Sequence, residues 1–358
     1  MITTIPVVPG FWLNGIPITP AAVGSTPLAM LVLLAMLCAG VFLMLRSGVM
    51  PGGGARQRRR PALHLVQATM QPAADAAPAS RGAGAATGRD LDGYRRFLAA
   101  RDGAPDLQRH RLARRESFFA ALDAAPVQSR SPIDRAAFQR NLRRRQPERD
   151  VDDRMLWLLA SAKANQAERF GVGFSELYGR VPTVDEDPVR VHMHLQETYH
   201  TRILADVVEL FGVSVQPAPP TALNRALIKL MVLSPPRWVL PLVGCSEMVG
   251  CVIFRALRDR GVALMADEPD VAERVRLLYD EILADEISHV GYIASQLGRS
   301  GRAAMRFLYR RLAVFMSRQM PELTRLFPGA ELARRFEGFR LDALLAEYPD
   351  KAYAAALV

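Results

Sequence analysis

The sequence predicts an all-α protein, in which a four-helix bundle with extra helices follows a single N-terminal transmembrane helix. Three observations lead to this prediction. A Glu-x-x-His motif occurs twice, at Glu197–His200 and at Glu286–His289. A helix-forming segment with one interior glutamate precedes each motif. Residues 27–45 form a nearly unbroken apolar run, long enough to cross a bilayer as a helix.

The N-terminal part of the chain predicts a membrane anchor. Residues 1–26 carry no charged side chain and are expected to be a short extracytoplasmic segment. Residues 27–46 are the predicted transmembrane helix; a cleaved signal peptide would have a basic start and a shorter apolar core. By the positive-inside rule, the arginines that follow predict that the helical domain lies in the cytoplasm. The alternatives are a buried helix or an unusual leader.

Two basic segments connect the anchor to the bundle. Residues 47–90 are rich in Gly, Ala and Pro, which predicts a flexible tether. Their cluster at 57–60 is expected to lie on an anionic membrane surface rather than on nucleic acid, because no aromatic residues interleave with it. Residues 91–149 are predicted to be a basic helical extension. Its arginines, such as Arg143–Arg145, are interpreted as solvated surface, with a docking face for an acidic partner as the alternative.

Composition limits the class of protein. The chain has 358 residues, a net charge of +10 and 50% hydrophobic residues, so a large core is possible. The three cysteines, Cys38, Cys245 and Cys251, form no disulfide framework. This usage favours a reducing compartment.

The first half of the predicted bundle carries Glu168, Glu197 and His200. Residues 156–170 read as a helix that begins after Asp152 and Asp153 and has Glu168 near its end. The next helix is expected to begin at Asp187-Pro188 and to end at Gly212. It carries Glu197 and His200, which project from one face because residues three apart are neighbours on a helix.

The second half repeats this pattern with Glu247, Glu286 and His289. Residues 238–257 read as an apolar helix whose one acid is Glu247. A lone carboxylate there is costly unless it is paired or bound to a metal. The last helix is expected to begin near Pro269 and to stop at Gly298. Four carboxylates and two imidazoles are donors that suit a pair of iron-like ions.

These six positions resemble the ferritin-like di-iron carboxylate oxygenase superfamily, over residues of about 150–300. That superfamily includes the p-aminobenzoate N-oxygenases, which have a third histidine where this chain has Ile282. It also includes the alternative oxidases, whose double-glutamate run is absent around Glu247. The resemblance implies that Glu168 and His200 serve one metal and Glu247 and His289 the other. Glu197 and Glu286 would bridge them.

Four further residues are candidates for supporting roles. The resemblance implies that Asp285, which precedes Glu286, holds His200 by a hydrogen bond. Gln196 precedes Glu197, so the corresponding contact to His289 would be made by an amide or not at all. His194 is either an extra ligand or an ordinary neighbouring histidine. Tyr279 shares a face with Glu286 and is either a hydrogen-bonding neighbour of the metals or a core tyrosine.

Two further segments remain, one within the bundle region and one at the C-terminal end of the chain. Residues 221–242 are interpreted as a buried hairpin between the bundle halves, or as a surface that dips into the membrane and admits a lipophilic substrate. Residues 301–358 are expected to be C-terminal amphipathic helices, of which the first is basic. It would pack on the bundle or lie on the membrane.

The resemblance implies a membrane-anchored di-iron oxygenase. Its cofactors would be two Fe ions or an Fe/Mn pair, with O2 as co-substrate. It would hydroxylate, desaturate or N-oxygenate a small lipophilic or carrier-bound substrate, with electrons from a reductase or ferredoxin. The alternatives are a quinol oxidase or quinone hydroxylase and a non-catalytic ferritin-like iron-binding protein.

Overall fold

The computed structural model describes residues 11–13, 16–18, 50–51, 91–106, 111–178 and 188–353 of the chain. These residues are mostly helical, which confirms the all-α class. Their helices are α1 Leu91–Asp102, α2 Ala113–Ala124, α3 Arg135–Leu142, α4 Asp153–Tyr178, α5 Pro188–Glu209, α6 Ala222–Leu233, α7 Pro236–Leu264, α8 Pro269–Gln296, α9 Arg299–Gln319, α10 Pro321–Leu326, α11 Glu331–Glu337 and α12 Leu341–Ala346.

Three antiparallel pairs of very short strands accompany these helices. The pairs are β1 Phe11–Leu13 with β2 Ile16–Ile18, β3 Met50–Pro51 with β6 Val215–Gln216, and β4 Pro105–Asp106 with β5 Arg111–Leu112. In the second pair Met50 lies opposite Gln216, so this pair joins the N-terminal part of the chain to the segment after α5.

The four long helices α4, α5, α8 and α7 form a closed ring, in which each packs against two of the others. Contacts at both ends show that α4 is antiparallel to its two neighbours. Trp157, near the start of α4, donates a hydrogen bond of 2.7 Å to the carbonyl of Leu257, near the end of α7. Further along α4, Asn165 donates to the carbonyl of Thr201 on α5 at 3.0 Å, whereas Gly171 lies against the earlier Glu197.

Helix α8 is antiparallel to both of its neighbours in the same way. Gly244 on α7 faces Ile293 on α8, while the later Arg258 pairs with the earlier Asp280. Because α5 and α7 therefore run in the same direction, the connection between them returns along the ring. This connection contains β6 and α6, and α6 packs on α4. It is only partly buried, since Leu230 and Leu233 are 41% and 50% exposed.

The remaining helices cover the outside of the ring. Helix α1 packs on α5, α9 on α7, α10 on α4, and α12 on α8. A buried ion pair between Lys163 of α4 and Glu322 fastens α10. The tail is therefore helical, and α9 buries Met305, Leu308, Leu312 and Met316 while its arginines lie on the outer side.

Local signals in the sequence mark several of these helix ends. Pro236 and Pro269 occupy first-turn positions of α7 and α8, and Asp134 caps α3 by accepting from the N–H groups of Ala136 and Ala137. Gly212 follows α5 with a φ of 73°. Gly298 was predicted to end α8. It has a φ of −72° and is the N-cap of the next helix, α9. Helices α4 and α7 both extend beyond their predicted ranges.

One described helix, Pro236–Leu264, is long and apolar enough to cross a membrane. Of its most apolar window, 67% is buried inside the protein, which is also typical of a core helix. The predicted transmembrane helix at 27–46 lies outside the described residues. So does the predicted tether at 47–90, apart from residues 50 and 51.

Candidate metal centre

All six predicted ligand residues come together inside the ring, in two adjoining clusters. One cluster contains Glu168, Glu197, His200 and Glu286, and the other contains Glu197, Glu247, Glu286 and His289. Within each cluster the ligand atoms lie within 4.8 Å of one another. Glu197 and Glu286 belong to both clusters.

The two histidines present the same ring nitrogen to these clusters. His200 Nδ1 lies 3.2 Å from Glu168 Oε2 and 3.3 Å from Glu286 Oε1. His289 Nδ1 lies 3.4 Å from both Glu197 Oε1 and Glu247 Oε2. Each histidine therefore meets the lone glutamate of one helix and the shared glutamate of the opposite motif. The ring centroids are 6.1 Å apart.

The site is closed on most sides. The side chains of both histidines are fully buried, and those of Glu168, Glu197 and Glu247 are only 14%, 12% and 13% exposed. Burying four carboxylates together is unfavourable unless cations or protons balance them.

Protonation equilibria show this excess of negative charge. Burial raises the pKa of Glu168 to about 7, against an opposing hydrogen bond with His200. Burial also raises the pKa of Glu286, and the nearby Glu247 adds to the effect. Burial works to raise the pKa of Glu247, but its hydrogen bonds with His289 and Glu286, together with the charges of the two histidines, outweigh burial and lower this pKa.

The histidines favour their charged form for the same reason. Burial alone would lower the pKa of His289, but hydrogen bonds to Glu197 and Glu247 raise it to about 9. Hydrogen bonds to Asp285, Glu168 and Glu286 likewise outweigh burial at His200 and raise its pKa. Divalent cations would supply the positive charge that these protons otherwise provide.

The outer nitrogen of each histidine also has a hydrogen-bond partner. His200 Nε2 lies 3.1 Å from Asp285 Oδ2. His289 Nε2 lies 2.9 Å from Gln196 Oε1, so the corresponding contact is made by an amide. With Nε2 engaged in this way, Nδ1 of each ring is left to face the carboxylates.

Three charged residues of the extension that sequence reasoning missed support these partners. Arg115 Nη2 donates to Asp285 Oδ1 at 2.6 Å, and Arg101 Nη1 donates to the same oxygen at 2.5 Å. Gln196 Nε2 donates to Asp102 Oδ2 at 2.7 Å. Burial works to raise the pKa of Asp285, but the two guanidinium groups outweigh it and hold this pKa well below its usual range.

A sequence signal for two of these residues does exist. Asp102 lies on the helix face of the buried residues Tyr94 and Leu98, at positions i, i+4 and i+8. Arg115 likewise precedes the buried Phe119 by four residues on α2. The interpretation of the extension as solvated surface is correct for Arg143–Arg145, which are exposed, and wrong for Arg115, which is buried.

Two other candidates do not join the clusters. The hydroxyl of Tyr279 lies 2.8 Å from that of Ser161, and its ring packs near Trp157, as in the core alternative. Neither cluster includes His194. Cys251 is buried on α7, and burial together with Glu286 and Glu247 raises the pKa of its thiol. It is therefore held as a thiol, and the donors of the site are carboxylates and imidazoles.

Comparisons of the chain with models of known protein families, with characterised proteins and with solved structures return no match. The class of the site is therefore defined by its own geometry. It consists of two adjoining carboxylate–imidazole clusters, buried in a ring of four helices, that could hold metal ions.

Proposed function

We propose that this chain is a membrane-anchored, non-haem di-iron oxidoreductase with a ferritin-like four-helix fold. The observation that carries the proposal is the pair of mirrored clusters that share Glu197 and Glu286. Chance placement of two Glu-x-x-His motifs would not also bring a lone glutamate from each of two other helices to the same place. An antiparallel ring with one long crossover is also the arrangement typical of ferritin-like folds.

The donor set fits iron. Carboxylates and imidazoles suit Fe(II) and Mn(II), whereas a thiolate-rich site would favour zinc or copper. When bound, a pair of iron ions would supply the reduction of O2 and the oxidation of a small organic substrate by hydroxylation, desaturation or N-oxygenation. The two clusters offer each ion one histidine, one lone glutamate and the two shared glutamates.

The chain's own residues would hold and shield that pair. Glu197 and Glu286 would lie between the ions, and Nδ1 of His200 and of His289 would each bind one ion. Asp285 and Gln196 would keep the ring protons on Nε2. Because the histidines are fully buried, the surrounding helices exclude bulk water, which strengthens electrostatic interactions inside the site.

Electron donor and location follow as parts of the same proposal. Each turnover would require electrons from a reductase or ferredoxin, and the exposed arginines of the extension would complement an acidic partner. Residues 27–46 would anchor the enzyme and hold the helical domain at the cytoplasmic surface of the membrane. A membrane location would suit a lipophilic substrate.

Metal content of the full chain tests this function. The protein would be purified without oxygen in detergent, as wild type, Glu247→Ala and Glu209→Gln. We expect two irons per wild-type chain, fewer in Glu247→Ala, and two in Glu209→Gln, whose exposed side chain lies on α5 away from the site. Zero or one metal in the wild type would contradict the proposal.

Oxygen consumption then separates the remaining classes. The iron-loaded protein should consume O2 with a chemical reductant and form an oxidised product from lipophilic amines, alkanes or acyl carriers. Quinol-dependent consumption without an organic product would instead indicate a quinol oxidase. Iron loading far above two ions per chain would indicate storage.

A further inference from the structure

Helix α1 and helix α2, which precede the ring, place buried charges behind the two histidines. Asp102 at the end of α1 is 1% exposed, and Arg115 on α2 is 2% exposed. Charged side chains are buried to this degree only where they are paired. These two residues pair with each other and with residues of α5 and α8, the two helices that carry the Glu-x-x-His motifs.

Arg115 joins three carboxylates from two parts of the chain. Its Nε donates to Asp102 Oδ1 at 3.1 Å, its Nη1 to Glu281 Oε2 at 2.7 Å, and its Nη2 to Asp285 Oδ1 at 2.6 Å. Only a guanidinium group offers donors in this planar fork. The partners and the histidines form one hydrogen-bonded series, which runs His200, Asp285, Arg115, Asp102, Gln196, His289.

The hydrogen bonds of Asp102 bear on which nitrogen carries the proton in the neutral ring of His289. An ionised carboxylate only accepts hydrogen bonds, so the Gln196 amide must turn its NH2 group toward Asp102. The Gln196 oxygen then faces His289, 2.9 Å from Nε2, and this nitrogen must be the donor. Nδ1, which faces Glu197 and Glu247, is thereby kept free of the proton in the neutral ring and can bind a metal.

We infer that Asp102 and Arg115 are positioning residues of the metal centre. Helices α1 and α2 therefore contribute to the site and do not only cover the outside of the ring. Asp102 sets the tautomer of His289 through Gln196. Arg115 orients Asp102. Through Asp285, Arg115 also keeps the proton of the neutral His200 ring on Nε2. The inference rests on the proposed function, because it assigns these residues to the ligands of a metal.

The substitution Asp102→Asn tests this inference with almost no change of shape. The introduced amide oxygen would still accept from Arg115 Nε, so its NH2 group would face Gln196. The Gln196 amide would then turn over and donate to His289 Nε2, which moves the ring proton to Nδ1. We expect an about 10- to 100-fold loss of metal affinity in the His289 cluster, as is typical when such outer partners are lost.

Adding Gln196→Glu to Asp102→Asn should restore binding. A carboxylate at position 196 accepts both from the introduced amide and from His289 Nε2–H, so the proton returns to Nε2. The double variant also keeps the net charge of the wild type. A role in packing alone would predict no such recovery, because the second substitution repairs only the direction of the hydrogen bonds.

Arg274→Ala supplies the matched control. Arg274 also fastens α8 to the α2 region, by donating to the carbonyl of Ala125 at 2.6 Å, but it takes no part in the series. Cobalt(II) titration of each full-length variant in anaerobic detergent solution, followed by visible absorption, would give affinity and stoichiometry without any assay of activity. Melting temperatures would show that each variant is folded.

The outcomes separate this inference from the proposed function. Two tight cobalt ions in the wild type and in Arg274→Ala, one tight and one weakened ion in Asp102→Asn, and recovery in the double variant support it. Two equally tight ions in Asp102→Asn, or no recovery in the double variant, overturn it while leaving the metal centre in place. A wild type that binds fewer than two ions overturns the proposed function and this inference together.

Discussion

A glycine lies one helical turn after each of the two lone glutamates. Gly171 follows Glu168 on α4, and Gly250 follows Glu247 on α7. A Cβ atom at Gly171 would lie 2.8 Å from Glu197 Oε2, and one at Gly250 would lie 3.0 Å from an oxygen of the other shared glutamate. The missing side chains therefore leave the space that the two shared carboxylates occupy.

Replacing either glycine by alanine should weaken metal binding without weakening the metal-free fold. The new methyl group would displace the shared carboxylate, while Gly→Ala inside a helix favours the helix by about 1 kcal/mol. Metal titration and urea unfolding of Gly171→Ala and Gly250→Ala would measure the two effects. Gly298→Ala is the control, because no atom lies within 4 Å of a Cβ there. Unchanged metal affinity in both variants would show that the shared carboxylates do not need the space that these two glycines leave.

Metal affinity should rise with pH through the neutral range. The pKa of Glu168 is raised to about 7 and that of His289 to about 9, so both hold protons at neutral pH that a metal must displace. The protonated ring of His289 also stabilises the metal-free fold fully below the ordinary pKa of 6.5, and this contribution is lost as the pH rises through about 9. Competition with a chelator across this range, and proton release on cobalt binding, would measure the linkage. An affinity that does not change with pH would contradict it.

At the scale of helices, the contact between α4 and α7 depends on Gly261. Trp157 is fully buried and donates to the carbonyl of Leu257, and a Cβ at Gly261 would lie 2.5 Å from its ring. A rigid indole held by a hydrogen bond cannot move aside easily. Gly261→Ala should therefore lower the free energy of unfolding by about 1–3 kcal/mol, in contrast to Gly250→Ala.

Urea unfolding of Gly261→Ala and the metal content of its folded form would check this expectation. The contact lies near the end of α7 and involves none of the cluster residues, so metal stoichiometry should equal that of the wild type. A stable Gly261→Ala protein would mean that α4 and α7 can separate locally at little cost.

The sequence was sufficient for the positions of the long helices and for the two Glu-x-x-His motifs because both depend on local spacing, whereas Glu168 and Glu247 were identified as the lone acids of the segments before those motifs. Pro188, Pro269 and Gly212 mark helix ends through backbone geometry alone. Glutamate and histidine three residues apart share a helix face wherever the helix packs. The role of the extension depends instead on tertiary contacts: the three partners of Arg115 lie 13, 166 and 170 residues away. No rule of local sequence predicts that these acids offset the cost of burying its charge.

For the whole molecule, the two clusters lie where all four helices of the ring meet, so a metal bound there should stabilise the domain and its removal should loosen it. A ligand that binds only the folded state stabilises it by about 2.7 kcal/mol when free ligand is a hundred times Kd. Chelation should therefore lower the melting temperature of the metal-loaded protein, and Glu247→Ala should show a smaller change. Calorimetry with and without chelator measures this, and identical melting curves would contradict a metal that binds at the centre of the ring.

The outer face of α9 combines exposed apolar side chains with exposed arginines. Phe307 and Val314 lie in the middle of this face, and their side chains are 47% and 53% exposed. Exposed arginines flank these two apolar side chains, and α9 contains no acidic residue. Arg311 lies over the ring of Phe307, 3.5 Å from its centroid. Basic side chains around an apolar centre are typical of helices that lie on anionic lipid.

Vesicle binding by a variant that begins at Leu91, and so lacks both the apolar run at 27–45 and the basic cluster at 57–60, would therefore depend on α9 rather than on net charge. Replacing Arg306, Arg310 and Arg318 by glutamine should weaken binding to anionic vesicles about 100-fold, since each basic residue near the surface contributes about 1 kcal/mol. Replacing the exposed Arg143, Arg144 and Arg145 by glutamine removes the same charge elsewhere and should have little effect. Equal losses in the two triple variants would mean that overall charge, not this face, attracts the protein to the membrane. A loss confined to α9 would indicate that the domain rests on the bilayer with α9 toward the lipid, the orientation in which a lipophilic substrate would reach it.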